Sequence, residues 1–279
     1  MDEEGIDMAG FKDAFVKGNM FASGIAVDYG ASMIVAKSGD AGEQGDGTDV
    51  SVAGGGVVSL QELAGEVKVG MRMPSFKVLN QADARPWHFQ ELLRSNGRWR
   101  VVVFAGNVLD TAQKGRVDGL GKKLDGEGSF LKKFTPADWR YDSVIEVLTV
   151  HAAPRQEVTV FDFEPAFRPW DERDGWDYWK IFVDDQSYHE GHGEAYKNYG
   201  IDPKKGCALI LRPDQYVSWV GEVDDYESME RFFGGFMLEQ KQKGEVGEKS
   251  KGVTNGGANG EASTSIKAGD EAVTGLGAQ

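Results

Sequence analysis

A single cysteine among 279 residues excludes an internal disulfide and fits a reducing compartment. No uninterrupted apolar run is long enough to cross a bilayer. The opening MDEEGIDMAGF is acidic and lacks the hydrophobic core of a secretory signal, so a cytoplasmic location is expected. Basic residues are scarce: 31 Lys and Arg face 45 Asp and Glu, and a net charge of -14 argues against nucleic acid or an anionic membrane as partner. The glycine loop that carries a dinucleotide is also missing. No GxG has its third glycine: the sixth place of the motif, counted from its first glycine, is Val50 for Gly45, Ser59 for Gly54, Leu124 for Gly119 and Tyr196 for Gly191. P-loop spacing does not occur either.

What the chain does have is concentrated between Trp179 and Val223. Ile181–Val183 is a short apolar run, and a helix-length segment after it stops at Gly200, a residue suited to a left-handed cap. Cys207–Leu211 is a second run, Arg212-Pro213-Asp214-Gln215 a turn, and Tyr216–Val223 an alternating third run. The tight turn predicts that the last two strands are antiparallel.

Hydrophobic residues at 40% and 38 glycines imply that part of the chain is unpacked. Residues 1–36 read as the end of a domain, with Phe11, Ala14 and Phe15 at helical spacing and an interruption at Gly18-Asn19. Residues 37–66, rich in glycine, acid and serine, read as a flexible linker. The main domain is expected over 67–240. Within it, Phe89, Leu92 and Leu93 suggest a short helix, Val101–Phe104 and Val144–His151 are strands, and a helical region runs from about Val117 to Phe134. Val158–Phe163 is apolar and alternating, and an insert dense in aromatics and prolines follows it. Tyr226, Met229, Phe233, Phe236 and Met237 share one face of a closing helix. Residues 241–279 read as a disordered tail. The order β-α-β, then β-α-β-β-α, predicts an α/β chain with a central mixed sheet and a thioredoxin-like fold.

That fold makes a demand the sequence does not meet. Redox thioredoxins place a cysteine pair after the first central strand, at a helix N-terminus that lowers the thiol pKa. Here the strand ends in Val103-Phe104-Ala105-Gly106 and continues as Asn107-Val108-Leu109-Asp110. Cys207 starts an apolar run, where a buried, inert thiol is the ordinary case; a redox role for it is the competing reading. His189 and His192, with Asp184 or Asp185, suggest a metal site, but the spacing is one short of HExxH and fits a polar loop and first helical turn. The aromatic insert (Phe161, Phe163, Phe167, Trp170, Trp176, Tyr178, Trp179) either covers a sheet edge or presents interface anchors.

VGMRMPSFKVLNQADARPWHFQELL, WRVVVFAG, VIEVLTVH, the run VDDQSYHEGHG…YGID…RPDQYV and the closing FFGGFML resemble the C-terminal domain of fungal phenol 2-monooxygenases (phenol hydroxylases) over about residues 67–238. The opening FKDAFVKGNMFASGIAVDYGAS is similar to the end of that family's flavin and substrate domain. The resemblance implies a thioredoxin-like dimerisation domain that lacks redox cysteines. In intact members it implies hydroxylation of phenols with FAD and NADPH. No residue here matches a catalytic position of the family, so no catalytic, cofactor-binding or metal residue is assigned. A partial monooxygenase without FAD of its own is the expected product, pairing with itself or with an intact monooxygenase; a stand-alone interaction module is the alternative.

Overall fold

The computed structural model describes residues 8–22, 26–37 and 55–240. Helix α1 (Met8–Ala22) comes first, then β1 (Lys77–Asn80), β2 (Pro86–His88) and α2 (Phe89–Leu92). The centre is β3 (Trp99–Gly106), α3 (Thr111–Asp125), α4 (Phe130–Lys133) and β4 (Ile145–His151). Two-residue strands β5 (Trp170–Asp171) and β6 (Gly175–Trp176) precede β7 (Ile181–Val183), and β8 (Gln186–Ser187) and β9 (Gly191–His192) follow it. Last come α5 (Ala195–Tyr199), β10 (Cys207–Leu211), β11 (Val217–Gly221) and α6 (Tyr226–Gly234).

Seven strands form one mixed sheet in the order β11-β10-β3-β4-β7-β1-β2. β3, β4 and β7 are mutually parallel, β10 runs antiparallel to β3, and β11 antiparallel to β10. A βαβ unit whose first strand is flanked by a later antiparallel hairpin, closed by a helix, is the thioredoxin-like arrangement. β7, β1 and β2 extend it beyond β4. Successive side chains of a strand point to opposite faces, and β3 shows what that means here. Val101, Val103 and Ala105 enter a layer with Val117, Leu120, Phe130 and Phe233 from the helices. Val102 and Phe104 enter another with Met73, Phe89, Tyr196 and Tyr199. Both faces are buried, so the strand is a continuous apolar run rather than an alternating one.

The linker expectation for 37–66 needs correction at its C-terminal end, and the domain start near Val67 moves with it. Residues 55–66 pack onto the sheet: Leu60 N–H donates to Val220 O at 2.8 Å, and Trp219 Nε1–H to Val58 O at 3.2 Å. Ala36 N–H donates to Ser218 O at 2.8 Å, and the Ser59 hydroxyl donates to Ala36 O at 2.6 Å. The otherwise open edge of β11 thereby gains backbone partners, and an unpaired edge is what a sheet must cover. Low apolar content hid this, because the contacts are mostly made by main chain. Residues 38–54, like the tail 241–279, lie outside the described residues.

Other expectations shift locally. α1 continues through Gly18-Asn19, since one glycine costs a helix only about 1 kcal/mol. The helical region from Val117 begins at Thr111 and breaks at Gly126, with Ser129 capping α4 through a bond from Lys132 N–H. The alternating segment Val158–Phe163 is not a strand but holds a 3-10 turn at Val160–Asp162. No helix among the described residues is long and apolar enough to cross a membrane.

Gly206, just before β10, has φ +63°, and a Cβ there would collide with the Phe104 carbonyl. Gly206→Ala is expected to cost about 3 kcal/mol in urea unfolding, strain and overpacking together. Gly97→Ala, with φ +78° and nothing within 4 Å, should cost only about 1 kcal/mol.

Candidate functional site

The junction between β3 and α3 is where a thioredoxin-like domain does its chemistry, and here it is closed by hydrogen bonds. Gly106 N–H donates to the Tyr196 hydroxyl at 2.7 Å, and that hydroxyl donates to Val150 O at 2.7 Å. Asn107 N–H donates to Pro203 O at 2.8 Å. Gln113 Nε2 bridges Ala105 O and Lys205 O at 2.8 Å each. The loop before β10 is thus bonded onto the turn that a redox centre would have to expose.

Cys207 lies in the same strand layer but faces the core, paired in register with Phe104 and fully buried. Burial pushes its thiol well above the ordinary range, with Glu222 adding in the same sense. A thiolate nucleophile needs the opposite environment.

Three helix N-termini, each an end of the kind that can receive an anion, are already occupied by carboxylates. Asp110 accepts from Gln113 N–H at 2.9 Å at the start of α3, and Asp225 from Ser228 N–H at 3.1 Å at the start of α6. Asp184 accepts from both Ala195 N–H and Tyr196 N–H, at 2.9 and 2.8 Å, at the start of α5. These residues do not fit a flavin diphosphate, whose charge would meet a carboxylate at each of these ends.

His189 and His192 do not share a helix. They sit in the β8–β9 hairpin, His189 edge-on to Tyr188, while His192 Nδ1 accepts from Glu194 N–H at 2.8 Å and lies 3.4 Å from Asp184. Among the described residues no group of three or more His, Cys, Asp or Glu is placed to hold a metal. The aromatic insert divides between its two readings: Phe163 and Phe167 are buried in the core, whereas Phe161, Trp170, Tyr178 and Trp179 are exposed.

The sequence reading passed over a buried ionic cluster at the opposite end of β3. Glu146 in β4 accepts from Arg100 Nε–H at 3.1 Å and from Lys180, one oxygen to each. Lys180 Nζ also lies 3.3 Å from Asp142 and 3.4 Å from Asp177. Arg140 bonds both oxygens of Asp142 and reaches Asp177 at 3.1 Å. Burial alone would raise the Asp142 carboxyl, but the Arg140 bond and the Lys180 charge outweigh it and hold the pKa below its ordinary value. Burial pulls the Arg100 guanidinium down, partly offset by Glu146. The available signal was a charged residue, Arg100 or Glu146, inside a run that otherwise reads as a buried strand.

His151, at the end of β4, is buried with Nε2 bonded to Gln81 Oε1 at 2.9 Å. Burial lowers its pKa to about 4, against a smaller opposing pull from Asp185.

A thioredoxin-like domain whose redox junction holds no sulfur is the class that this fold and site define. The chain belongs to the phenol hydroxylase C-terminal dimerisation domain family, whose model matches residues 27–241. It is 34% identical over 226 residues to phenol 2-monooxygenase fsqG of Aspergillus fumigatus, covering 81% of this chain and 34% of that protein. It is 34% identical over 233 residues to FAD-dependent monooxygenase terD of Aspergillus terreus, covering 83% of this chain and 35% of that one. The chain therefore spans about a third of the length of these curated relatives. Among solved structures, a peroxiredoxin-like protein from Aquifex aeolicus aligns with a TM-score of 0.39 at 12% identity, over 61% of this chain and 89% of that one.

Two outcomes are expected. Cys207 should react with a thiol reagent such as dithionitrobenzoate only after denaturant is added; prompt reaction of the native protein would contradict the burial. His151 resists protonation when folded but not when unfolded, so between about pH 6.5 and pH 4 the unfolded state binds the extra proton. Stability should fall by roughly 3 kcal/mol as pH drops through that window. In His151→Gln this part of the pH dependence of urea unfolding should vanish.

Proposed function

We propose that this chain acts as the pairing module of a flavin-dependent aromatic monooxygenase and performs no hydroxylation by itself. The family match over residues 27–241 carries the reading. The carboxylate-capped helix ends and the sulfur-free junction support the second half of it. FAD, its reduction by NADPH and the phenol substrate belong, in this reading, to the part of such enzymes that the chain does not span. Helix α1, whose Phe11, Phe15 and Phe21 are exposed, is the end of the preceding flavin and substrate domain. The partner is a second copy of this chain or an intact monooxygenase, and the exposed aromatics Trp170, Tyr178 and Trp179 are suited to an interface.

Sedimentation equilibrium of the purified chain should give a dimer; a strict monomer at high concentration would refute pairing with itself. The same sample should leave a desalting column without flavin and should not oxidise NADPH when phenol and FAD are supplied. Tight flavin retention with phenol-dependent NADPH oxidation would overturn the non-catalytic reading.

A further inference from the structure

Beside the ionic cluster is a cavity of about 230 Å³. An apolar cavity of ~150 Å³ accommodates benzene, so this one has room for a single ring and a small substituent. Its apolar wall is Trp87, Leu92, Leu148 and Trp179, the two indoles edge-to-face at 5.2 Å between centroids. The rest is charged, and the signs do not balance. Arg94, Arg98, Arg140 and Lys180 face Glu91, Glu146 and Asp177, while Arg100 and Asp142 behind them offset each other.

The acids are all engaged. Glu91 accepts from His88 N–H at 3.1 Å, and Glu146 holds Arg100 and Lys180. Asp177 takes Arg140 at 3.1 Å on one oxygen and Trp179 N–H at 3.0 Å on the other. Two cations are held less tightly. Arg98 makes only long ion pairs, 3.6 Å to Glu146 and 3.8 Å to Asp142, with no hydrogen bond from its guanidinium, and the Arg94 guanidinium has no ion pair or hydrogen bond among the described residues. The unused capacity of the cavity is therefore one positive charge in planar guanidinium form, set against an aromatic and aliphatic wall. A planar anion with two parallel acceptors matches a guanidinium best, and a flat ring matches indole walls.

We propose that this cavity binds a small monoanionic carboxylate with a flat, ring-sized apolar body, its carboxylate on Arg98 and Arg94 and its body against Trp87 and Trp179. The site lies away from the β3–α3 junction and shares Trp179 with the surface proposed for pairing. Benzoate is a suitable probe, followed at fixed ionic strength by calorimetry and tryptophan fluorescence on the full chain. Saturable one-site binding is expected, weakened about tenfold or more in Arg98→Gln, as the loss of a charge-assisted pair implies. Arg94→Gln, at an exposed side chain whose removal leaves the core untouched, should weaken binding several-fold and serves as the readout if Arg98→Gln fails to fold. Benzyl alcohol, which has the ring without the charge, and inorganic phosphate, which has charge without the ring, should each bind at least about tenfold more weakly. No saturable benzoate binding, equal binding of phosphate, or unchanged affinity in the folded arginine variants would each overturn the assignment.

Discussion

Strand β3 has no face turned to water, and the molecule is arranged to keep it so. Its odd residues are covered by α3, α4 and α6 and its even residues by α2, α5 and the segment around Met73. Its two edges are taken by β4 and β10. A strand enclosed on four sides leaves only its ends to meet solvent, and the two ends are finished differently. At the C-terminal end the chain leaves through Gly106 into a turn sealed by Tyr196, Pro203 and Gln113. At the other end Arg100 enters the ionic cluster with Glu146 and Lys180.

At the sealed end, the turn where a redox thioredoxin carries its cysteine pair holds no cysteine. The fold supplies a strand end and a helix N-terminus, and a redox enzyme places sulfur there. Here the helix dipole is satisfied by Asp110 and the backbone donors by neighbouring carbonyls and a tyrosine hydroxyl. The same arrangement recurs where Asp184 caps α5, so the positive ends of these helices serve the protein's own stability. The family to which the chain belongs is that of a dimerisation domain.

The cluster at the other end carries the larger energetic stake. Buried ion pairs gain little against an apolar replacement, but deleting one partner strands a charge at about 3–5 kcal/mol. Glu146 holds two cations and Lys180 contacts three carboxylates, so the group stands or falls together. It fixes β3, β4 and the approach to β7 in one register. Its own charges balance, and the small positive excess beside it comes from Arg94 and Arg98 against Glu91, in a chain whose overall charge is -14.

Sequence by itself determined the elements whose signal is local. The β3 run, the Gly200 cap, the Arg212–Gln215 turn, the α6 face and the absence of sulfur after β3 were legible because each depends on a few neighbouring residues. The α/β order then led to the thioredoxin-like sheet. What tertiary structure alone decided depends on residues far apart in the chain. The packing of 55–66 on β11 is made by main-chain bonds that composition does not record. The hairpin that separates His189 from His192 follows from β8 pairing with β9. The meeting of Arg100, Asp142, Glu146, Asp177 and Lys180 requires β3, β4 and β7 to lie side by side, because a charge in a buried strand names its partner only once the neighbouring strands are in place.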